Sequence, residues 1–218
     1  MQKYLTTKFS TILISAIIVL SFLVSGYFFP RLPEQVITHW GMSGNPDGYS
    51  SKAIGAFMIP AMMLLFFPLF YFLPRVDPLK ENYKSFDKSY NFIIISIYKF
   101  LLVIHIILLL QNIGQKFDFA KVMIVIFSAL FIAIGSGIKD LKRNYFAGIR
   151  TPWTISSDEV WGKTHKFGSR AMILGGIVGL FGLIVPQYGF LFVFVPLVLS
   201  VLFTVLYSYL EWKKLTVI

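Results

Sequence analysis

The chain has 218 residues, no cysteine, a mean hydropathy of +0.73 and only 14% charged residues. These values exclude an ordinary soluble domain, in which about 25% of residues are charged. The absence of cysteine excludes disulfides, thiolate metal sites and a cysteine nucleophile. The formal net charge of +10 is typical of a membrane protein whose loops face anionic lipids, and we expect no direct binding of nucleic acid.

Six apolar segments are long enough, or nearly so, to cross a bilayer as helices of about 20 residues. They cover residues 9–29, 53–73, 91–111, 122–138, 171–185 and 188–210. We therefore predict an all-α, polytopic integral membrane protein with six transmembrane helices. A tight turn at Pro186 and Gln187 should make the last two helices an antiparallel hairpin. The first segment could instead be a cleaved signal peptide, but its apolar run exceeds the about 7–15 residues of a signal core.

The distribution of basic residues predicts the orientation of the chain. If the N-terminus is cytoplasmic, the inner segments hold 15 of the 20 Lys and Arg residues. The outer loops then hold only Arg31, Lys52, Lys116 and Lys121, while Lys99 falls within the third apolar segment. We therefore expect the N- and C-termini to be cytoplasmic.

The predicted outer loop, residues 30–52, is rich in Pro and Gly. Asn45-Pro46-Asp47-Gly48 is typical of a tight turn, so we expect this loop to be ordered. The loop is either a contact surface for a peptide or ligand, or a structural cap over the helices. Its candidate ligand-facing residues are Pro33, Glu34, His39, Trp40, Asp47, Gly48 and Lys52.

The longest predicted inner loop, residues 139–170, is basic. Ser156-Ser157-Asp158-Glu159 has the form of a capping box with Ser156 as the N-cap. This pattern predicts a short helix along the inner membrane surface before the fifth apolar segment. Upstream, Arg150 could bind a phosphate or carboxylate group, or it could hold its own loop or a lipid headgroup.

Two basic side chains, Lys99 and His105, fall within the third apolar segment. A cation at this depth costs about 2.5–3.5 kcal/mol on insertion scales. Lys99 therefore either extends toward water or serves to bind an anionic group or detect depolarisation. His105 lies about 120° around the helix from Lys99. We expect a hydrogen-bonded or water-facing histidine there rather than a proton relay, since acidic neighbours are missing.

No sequence motif predicts catalysis. Hydrolase, metalloprotease and phosphate-loop motifs are absent from the sequence. His39, His105 and His165 are predicted at three different levels of the membrane, so they cannot share a metal ion. We therefore predict a protein that is not an enzyme, without catalytic residues, metal or cofactor. The spacing of Ala171, Gly175 and Gly179 predicts close helix packing, either within the protein or in self-association, so the oligomeric state stays open.

A distinctive motif lies in the inner loop, where residues 144–154 read NYFAGIRTPWT and are followed by Ser157, Glu159, Val160 and Trp161. The pattern resembles the signature of the SdpI family, bacterial membrane proteins named for immunity to a secreted sporulation-delaying peptide toxin. The candidate motif residues are Asn144, Gly148, Arg150, Thr151, Pro152, Trp153, Thr154, Glu159 and Trp161.

The outer loop is similar to the small membrane domain of unknown function that commonly precedes this signature. The similarity lies in Leu32-Pro33, Val36, His39-Trp40, Gly44, Asp47-Gly48-Tyr49 and Ser51-Lys52. One departure is Ile37, where that domain usually has proline, and this could loosen the first turn. The resemblance divides the chain into an N-terminal membrane domain, residues 1–75, and an SdpI-like domain, residues 76–218.

The resemblance implies a multi-pass protein of the bacterial cell membrane that protects its producer from a membrane-active peptide toxin. In the best-known member of the family, the protein also holds a soluble repressor at the membrane when toxin is present. From the predicted topology, we expect the outer loop to face the toxin and the inner loop to face a cytoplasmic repressor and anionic lipids. The alternative is a small transporter or exporter, which the lack of acidic residues in the helices and of an internal repeat disfavours.

Overall fold

The computed structural model describes residues 8–41, 46–185 and 188–216. In this part of the chain, six helices are long and apolar enough to cross a membrane, which confirms the predicted fold class. A further short helix, α5, precedes the fifth of them. The helices are α1 (Lys8–Phe28), α2 (Lys52–Val76), α3 (Asp87–Asn112), α4 (Phe119–Ile138), α5 (Pro152–Ser156), α6 (Asp158–Leu180) and α7 (Gly189–Thr216).

The long helices form a bundle with two different ends. One end carries an antiparallel β-hairpin of β1 (Gln35–Trp40) and β2 (Pro46–Ser51), and we call it the hairpin end. The opposite end carries the α2–α3 connection, residues 77–86, and the α4–α6 connection, residues 139–157, and we call it the loop end. Short 3₁₀ turns lie at Phe29–Arg31, Lys80–Ser85 and Phe181–Leu183.

The β-hairpin replaces the tight turn that was predicted at residues 45–48. Pro46, Asp47 and Gly48 belong to β2, and Asn45 lies outside the described residues. Proline is tolerated as the first residue of a strand because its missing N–H is not needed for pairing there. Gly48 is opposite His39, and a Cβ on Gly48 would lie only 2.7 Å from the His39 Cβ. Gly48 therefore serves the close approach of the strands.

The prediction of a separate surface helix was wrong. A single helix, α6, starts at Asp158 and continues without a proline to Leu180. The fifth membrane-spanning helix therefore begins well before residue 171, where its apolar segment starts. Its N-cap is Ser157, whose Oγ accepts a hydrogen bond from the Val160 amide at 3.3 Å. Ser156 ends α5 instead and donates its hydroxyl to the Trp153 carbonyl. The predicted turn at Pro186 and Gln187 lies outside the described residues.

Small residues let α4, α6 and α7 approach closely, as the glycine spacing predicted. A Cβ on Gly175 would lie 3.1 Å from Ser200 Oγ on α7, and one on Gly176 would lie 2.7 Å from the Ser128 carbonyl oxygen on α4. Gly179 lies against Ser128 as well. On the other side of the bundle, α1, α2 and α3 share a core of large side chains that includes Ile14, Met63, Tyr98 and Leu109.

Candidate functional site

The β-hairpin is anchored to the end of α3 by Asn112. The Asn112 Oδ1 accepts a hydrogen bond from the Ile37 amide at 2.7 Å, and its Nδ2 donates to the Ile37 carbonyl at 3.0 Å. The neighbouring Val36 is fully buried against Gly55 in the first turn of α2. The hairpin is therefore fixed over α2 and α3, even though Ile37 departs from the usual proline at this position.

His39 and Trp40 lie at the tip of β1 and make different contacts. The His39 Nδ1 is 2.5 Å from Asp47 Oδ1 on β2, and both side chains are exposed. The Trp40 ring stacks on Phe119 at the start of α4, with 4.0 Å between ring centroids and 20° between planes. Trp40 thereby connects the hairpin to the second half of the bundle.

An apolar cavity of about 620 Å³ lies between the hairpin tip and four helices. The residues 38–41 of β1 and its following loop border one side, and α2, α3, α4 and α7 form the other walls. Most of the lining side chains are aliphatic or aromatic, including Met58, Leu108, Phe119, Phe127, Phe131 and Phe194. The volume falls within the range of about 300–1,000 Å³ that is usual for small-molecule pockets.

Of the seven residues predicted to face a ligand, only His39 and Trp40 line this cavity. Pro33 and Glu34 are exposed at the base of the hairpin. The Lys52 Nζ lies 3.5 Å from Glu34 Oε1, and its amide donates to the Glu34 carbonyl at 3.0 Å, so this pair closes the hairpin base. The aromatic cavity walls on α4 and α7 were missed, because composition alone does not distinguish a cavity-lining phenylalanine from a lipid-facing one.

At the loop end, Asn144 organises the chain that leaves α4. Its buried Oδ1 accepts hydrogen bonds from the Ala147 amide at 2.6 Å and the Phe146 amide at 3.0 Å. Its Nδ2 donates to the carbonyls of Lys142 and Ala147. The Asn144 side chain therefore provides hydrogen-bond partners for backbone groups of a compact turn, which lies outside any helix or strand.

Asp77, which was not predicted as a site residue, joins the α2–α3 connection to the α4–α6 connection beside Asn144. Its carboxylate is 2% exposed and accepts hydrogen bonds from the Leu79 amide at 2.7 Å and the Tyr145 amide at 2.8 Å. The Tyr83 hydroxyl lies 3.1 Å from both Asp77 Oδ2 and Asn144 Oδ1. Burial, and then the nearby Asp77 carboxylate, raise the pKa of Tyr83, so this hydroxyl stays a donor.

Gly148 and His165 form the next contact of the motif. Gly148 has a φ of +105°, and a Cβ there would collide with His165 Nε2. That nitrogen accepts the Ile149 amide hydrogen bond at 3.0 Å, while Nδ1 lies 2.9 Å from the Trp161 carbonyl oxygen. The Trp161 ring stacks on His165 and donates its Nε1–H to the Leu141 carbonyl at 2.7 Å. These contacts hold the α4–α6 connection against the first turns of α6.

Thr151 and Thr154 start α5 with a reciprocal capping box. The Thr151 hydroxyl accepts from the Thr154 amide at 3.2 Å, and the Thr154 hydroxyl accepts from the Thr151 amide at 2.8 Å. Pro152 occupies the first turn, where its missing N–H costs nothing. The structure therefore has its capping box at the start of α5, whereas the sequence pattern predicted one at Ser156.

Three motif side chains reach the surface of the loop end. Arg150 is exposed and donates to the Tyr145 carbonyl at 2.6 Å, so it ties down its own loop. Trp153 packs against Tyr209 and Trp212 on α7 and donates its Nε1–H to Ser208 Oγ. Glu159 is exposed and pairs with Lys163 at 2.8 Å. Any partner at this end would meet these side chains.

Lys99 and His105 have opposite surroundings, as their angular separation on the helix predicted. His105 is fully buried, and its Nε2 lies 2.8 Å from Ser25 Oγ on α1. Lys99 is exposed on the outside of the bundle and forms no ion pair with any described residue. His105 is therefore part of the α1–α3 contact, whereas Lys99 faces outward from the bundle.

Comparisons with known proteins match both halves of the chain. Residues 140–208 match the model of the SdpI/YfhL protein family, and residues 16–64 match that of a domain of unknown function, DUF1648. The chain is similar to the immunity protein SdpI of Bacillus subtilis (strain 168), with 31% identity over 93% of this chain and 96% of that protein. No solved structure matches.

The family model, the similarity along almost the whole chain and the six apolar helices agree with one another. They describe a multi-pass protein of the bacterial cell membrane, in a family of immunity proteins rather than of enzymes. The chain belongs to the SdpI family.

Proposed function

We propose that this protein protects a bacterium against a secreted, membrane-active peptide toxin, and that the toxin binds in the apolar cavity beneath the β-hairpin. The similarity to a protein named for immunity supports the general role. The cavity is the observation that supports the position of the site, because a membrane-active peptide needs an apolar surface for its own apolar side chains.

The depth of the cavity suits a ligand that arrives from the membrane. Phe119 and Phe131 both line it, and they are separated by twelve residues of α4, or roughly 18 Å along the helix axis. The cavity thus extends from the hairpin tip to about the middle of a bilayer of roughly 30 Å. A peptide lying in the hairpin-side leaflet could enter it without crossing the membrane.

The proposed orientation places the hairpin end outside and both termini in the cytoplasm. The loop end carries most of the basic residues, whereas the hairpin end carries Arg31, Lys52, Lys116 and Lys121. The positive-inside rule therefore favours a cytoplasmic loop end. A secreted toxin would then encounter His39 and Trp40 first.

A second, signalling role concerns the loop end. We propose that a cytoplasmic repressor binds the exposed side chains there, chiefly Arg150 and Glu159. The buried motif residues would shape this surface rather than touch the partner.

We also retain the division into domains 1–75 and 76–218. The hydrogen bond from the Tyr145 amide to Asp77 supports this division, because it joins two connections that the division assigns to the same domain.

A matched pair of substitutions on α4 tests the toxin site. Ala120 lines the cavity, whereas Ala129 is exposed and does not line it. Ala120→Trp should fill the cavity and remove protection, while Ala129→Trp should leave protection intact. Survival and membrane potential would be measured in sensitive bacteria exposed to a sporulation-delaying peptide, at matched protein levels. Protection by both variants would contradict the cavity as the site, and no protection by the unmodified protein would contradict immunity to that peptide.

A further inference from the structure

One face of α6 changes from charged to apolar along its length. Lys163, Lys166 and Arg170 are exposed at intervals of three and four residues, so they lie on the same side of the helix. The same face continues toward the hairpin end with exposed, purely apolar side chains, which are Leu174, Ile177 and Phe181. This arrangement matches the headgroup-to-tail direction of a phospholipid in the leaflet at the loop end.

Contacts with α7 fix the depth of these cations. Gly168 lies against Thr204, and Ser200 Oγ donates to the Ala171 carbonyl at 2.9 Å. Arg170 is therefore level with the part of α7 that exposes Leu202, Phe203 and Leu206. The aromatic cluster of Trp153, Tyr209 and Trp212, which is typical of a membrane interface, lies nearer the loop end. The backbone of Arg170 thus lies inside the apolar layer of the membrane, and the backbone of Lys166 lies close to the edge of that layer.

The cations on this face differ in their pairing. Lys163 is paired with Glu159 at 2.8 Å and with the buried Glu211 at 2.9 Å. Lys166 and Arg170 form no ion pair with any described residue. A cation at this depth needs an anionic partner or water, and among the cations of this face only Lys163 receives a carboxylate from a described residue.

A third cation that is unpaired among the described residues, Lys139, is exposed and follows the end of α4 at a similar depth. It lies one turn beyond Gly135, whose backbone packs against the Ser169 carbonyl on α6. Because α4 and α6 are antiparallel, one turn beyond Gly135 corresponds to about one turn before Ser169, which is the position of Lys166. Lys139 also forms no ion pair among the described residues.

We propose that Lys139, Lys166 and Arg170 bind the phosphate of an anionic phospholipid in the leaflet at the loop end, with the acyl chains lying along Leu174, Ile177 and Phe181. Arginine can donate two parallel hydrogen bonds to a phosphate, and the lysines add charge. Charge complementarity and the apolar continuation of the same face favour a lipid over a soluble anion. This site is separate from the cavity, and the inference does not depend on the toxin.

Lipid titration of the purified full chain in neutral detergent tests the site. Binding of phosphatidylglycerol would be measured by native mass spectrometry, with phosphatidylcholine of the same chains and inorganic phosphate as the other two probes. The test variant is Lys166→Gln with Arg170→Gln. The control is Lys80→Gln with Lys88→Gln, which removes the same charge from exposed positions at the loop end. Melting temperatures without added lipid verify that both variants fold.

We expect phosphatidylglycerol to bind the unmodified chain and the control, and to bind the test variant more weakly by about five-fold for each cation removed. Lys139→Gln alone, on the other helix, should weaken binding by about five-fold. Phosphatidylcholine and inorganic phosphate should bind weakly to all forms. Equal losses in the test variant and the control, unchanged binding in the test variant, or equally tight binding of inorganic phosphate would each overturn the proposal.

Discussion

The two ends of the bundle are built from different interactions. At the hairpin end, the cavity walls are apolar, and the Trp40 side chain stacks on Phe119. At the loop end, Asp77, Asn144 and His165 are buried and hydrogen-bonded to backbone groups of the α4–α6 connection. Such a polar network forms all its hydrogen bonds in only one arrangement of its side chains. An apolar cavity wall, in contrast, can pack against apolar groups of several shapes.

This difference separates the roles of the two sets of motif residues. Asn144 and Trp161 are buried at the loop end, and Gly148 lies against the buried His165, so substitution of any of the three should reduce stability first. Trp40 borders an open cavity, so its substitution should reduce ligand binding with little loss of stability. Protein level and protection, measured together, can therefore distinguish the two ends.

The largest expected effect is that of Gly148→Ala. The positive φ and the collision with His165 should lower the free energy of unfolding by about 3 kcal/mol. The melting temperature in detergent and the protein level in membranes would measure this loss. Gly162→Ala is the matched control, because a Cβ on Gly162 would meet no atom within 4 Å. Equal stability of the two variants would contradict the role assigned to Gly148.

Asn144→Ala should have the next largest effect. It leaves the Phe146 and Ala147 amides without their acceptor in a partly buried turn, at a cost of about 2 kcal/mol in unfolding free energy. Asn82→Ala, which removes one hydrogen bond to the Arg143 carbonyl, should cost less. Thermal unfolding in the same detergent would compare them. If Asn144→Ala melts with the unmodified protein, the loop end does not depend on this network.

Trp40→Ala should affect function more than stability. Loss of the stacking on Phe119 should cost about 1 kcal/mol, while protection against toxin should fall strongly because one wall of the cavity is lost. Tyr49→Ala is the control, since Tyr49 is an exposed aromatic of the same hairpin that does not line the cavity. Survival at matched protein levels is the measurement, and full protection by Trp40→Ala would argue against the hairpin tip as part of the site.

The smallest effect is expected for Asp118→Ala at the N-cap of α4. The Lys121 amide donates to Asp118 Oδ1 at 3.1 Å and lowers the pKa of this carboxyl. A lowered pKa means that the stabilisation, about 1 kcal/mol, is present above the ordinary Asp pKa and disappears as the pH falls through the folded-state value. Melting temperatures at neutral and acidic pH would show the variant and the unmodified protein converging in acid. A constant difference would contradict the capping role.

The sequence predicted the helices better than the connections between them. Long apolar runs identify α1, α2, α3, α4 and α7, because burial in lipid requires such runs whatever the detailed packing. The start of α6 was misplaced, since its first three turns carry charges and contain no apolar run. Ser156 and Ser157 are adjacent potential N-caps, and only the position of α5 decides between them.

The motif residues could be identified from the sequence, but their partners could not. Asn144, Gly148 and Trp161 were singled out by resemblance, while Asp77 was not, because its contact with Tyr145 joins positions 68 residues apart. The capping box of Thr151 and Thr154 was equally hidden, since its second member is not the usual Glu or Gln. The cavity depends on which side of α4 each phenylalanine occupies, and composition does not determine that.

The central claim, that the toxin enters the cavity beneath the hairpin, can be tested directly because the chain contains no cysteine. Ala120→Cys and Ala129→Cys would each carry an environment-sensitive fluorophore in the purified protein, reconstituted in vesicles. Addition of a sporulation-delaying peptide should change the emission of the label at position 120, and this change should saturate as the peptide concentration rises. The emission of the label at position 129 should stay unchanged. Equal responses at both positions, or a response at position 129 alone, would contradict the account.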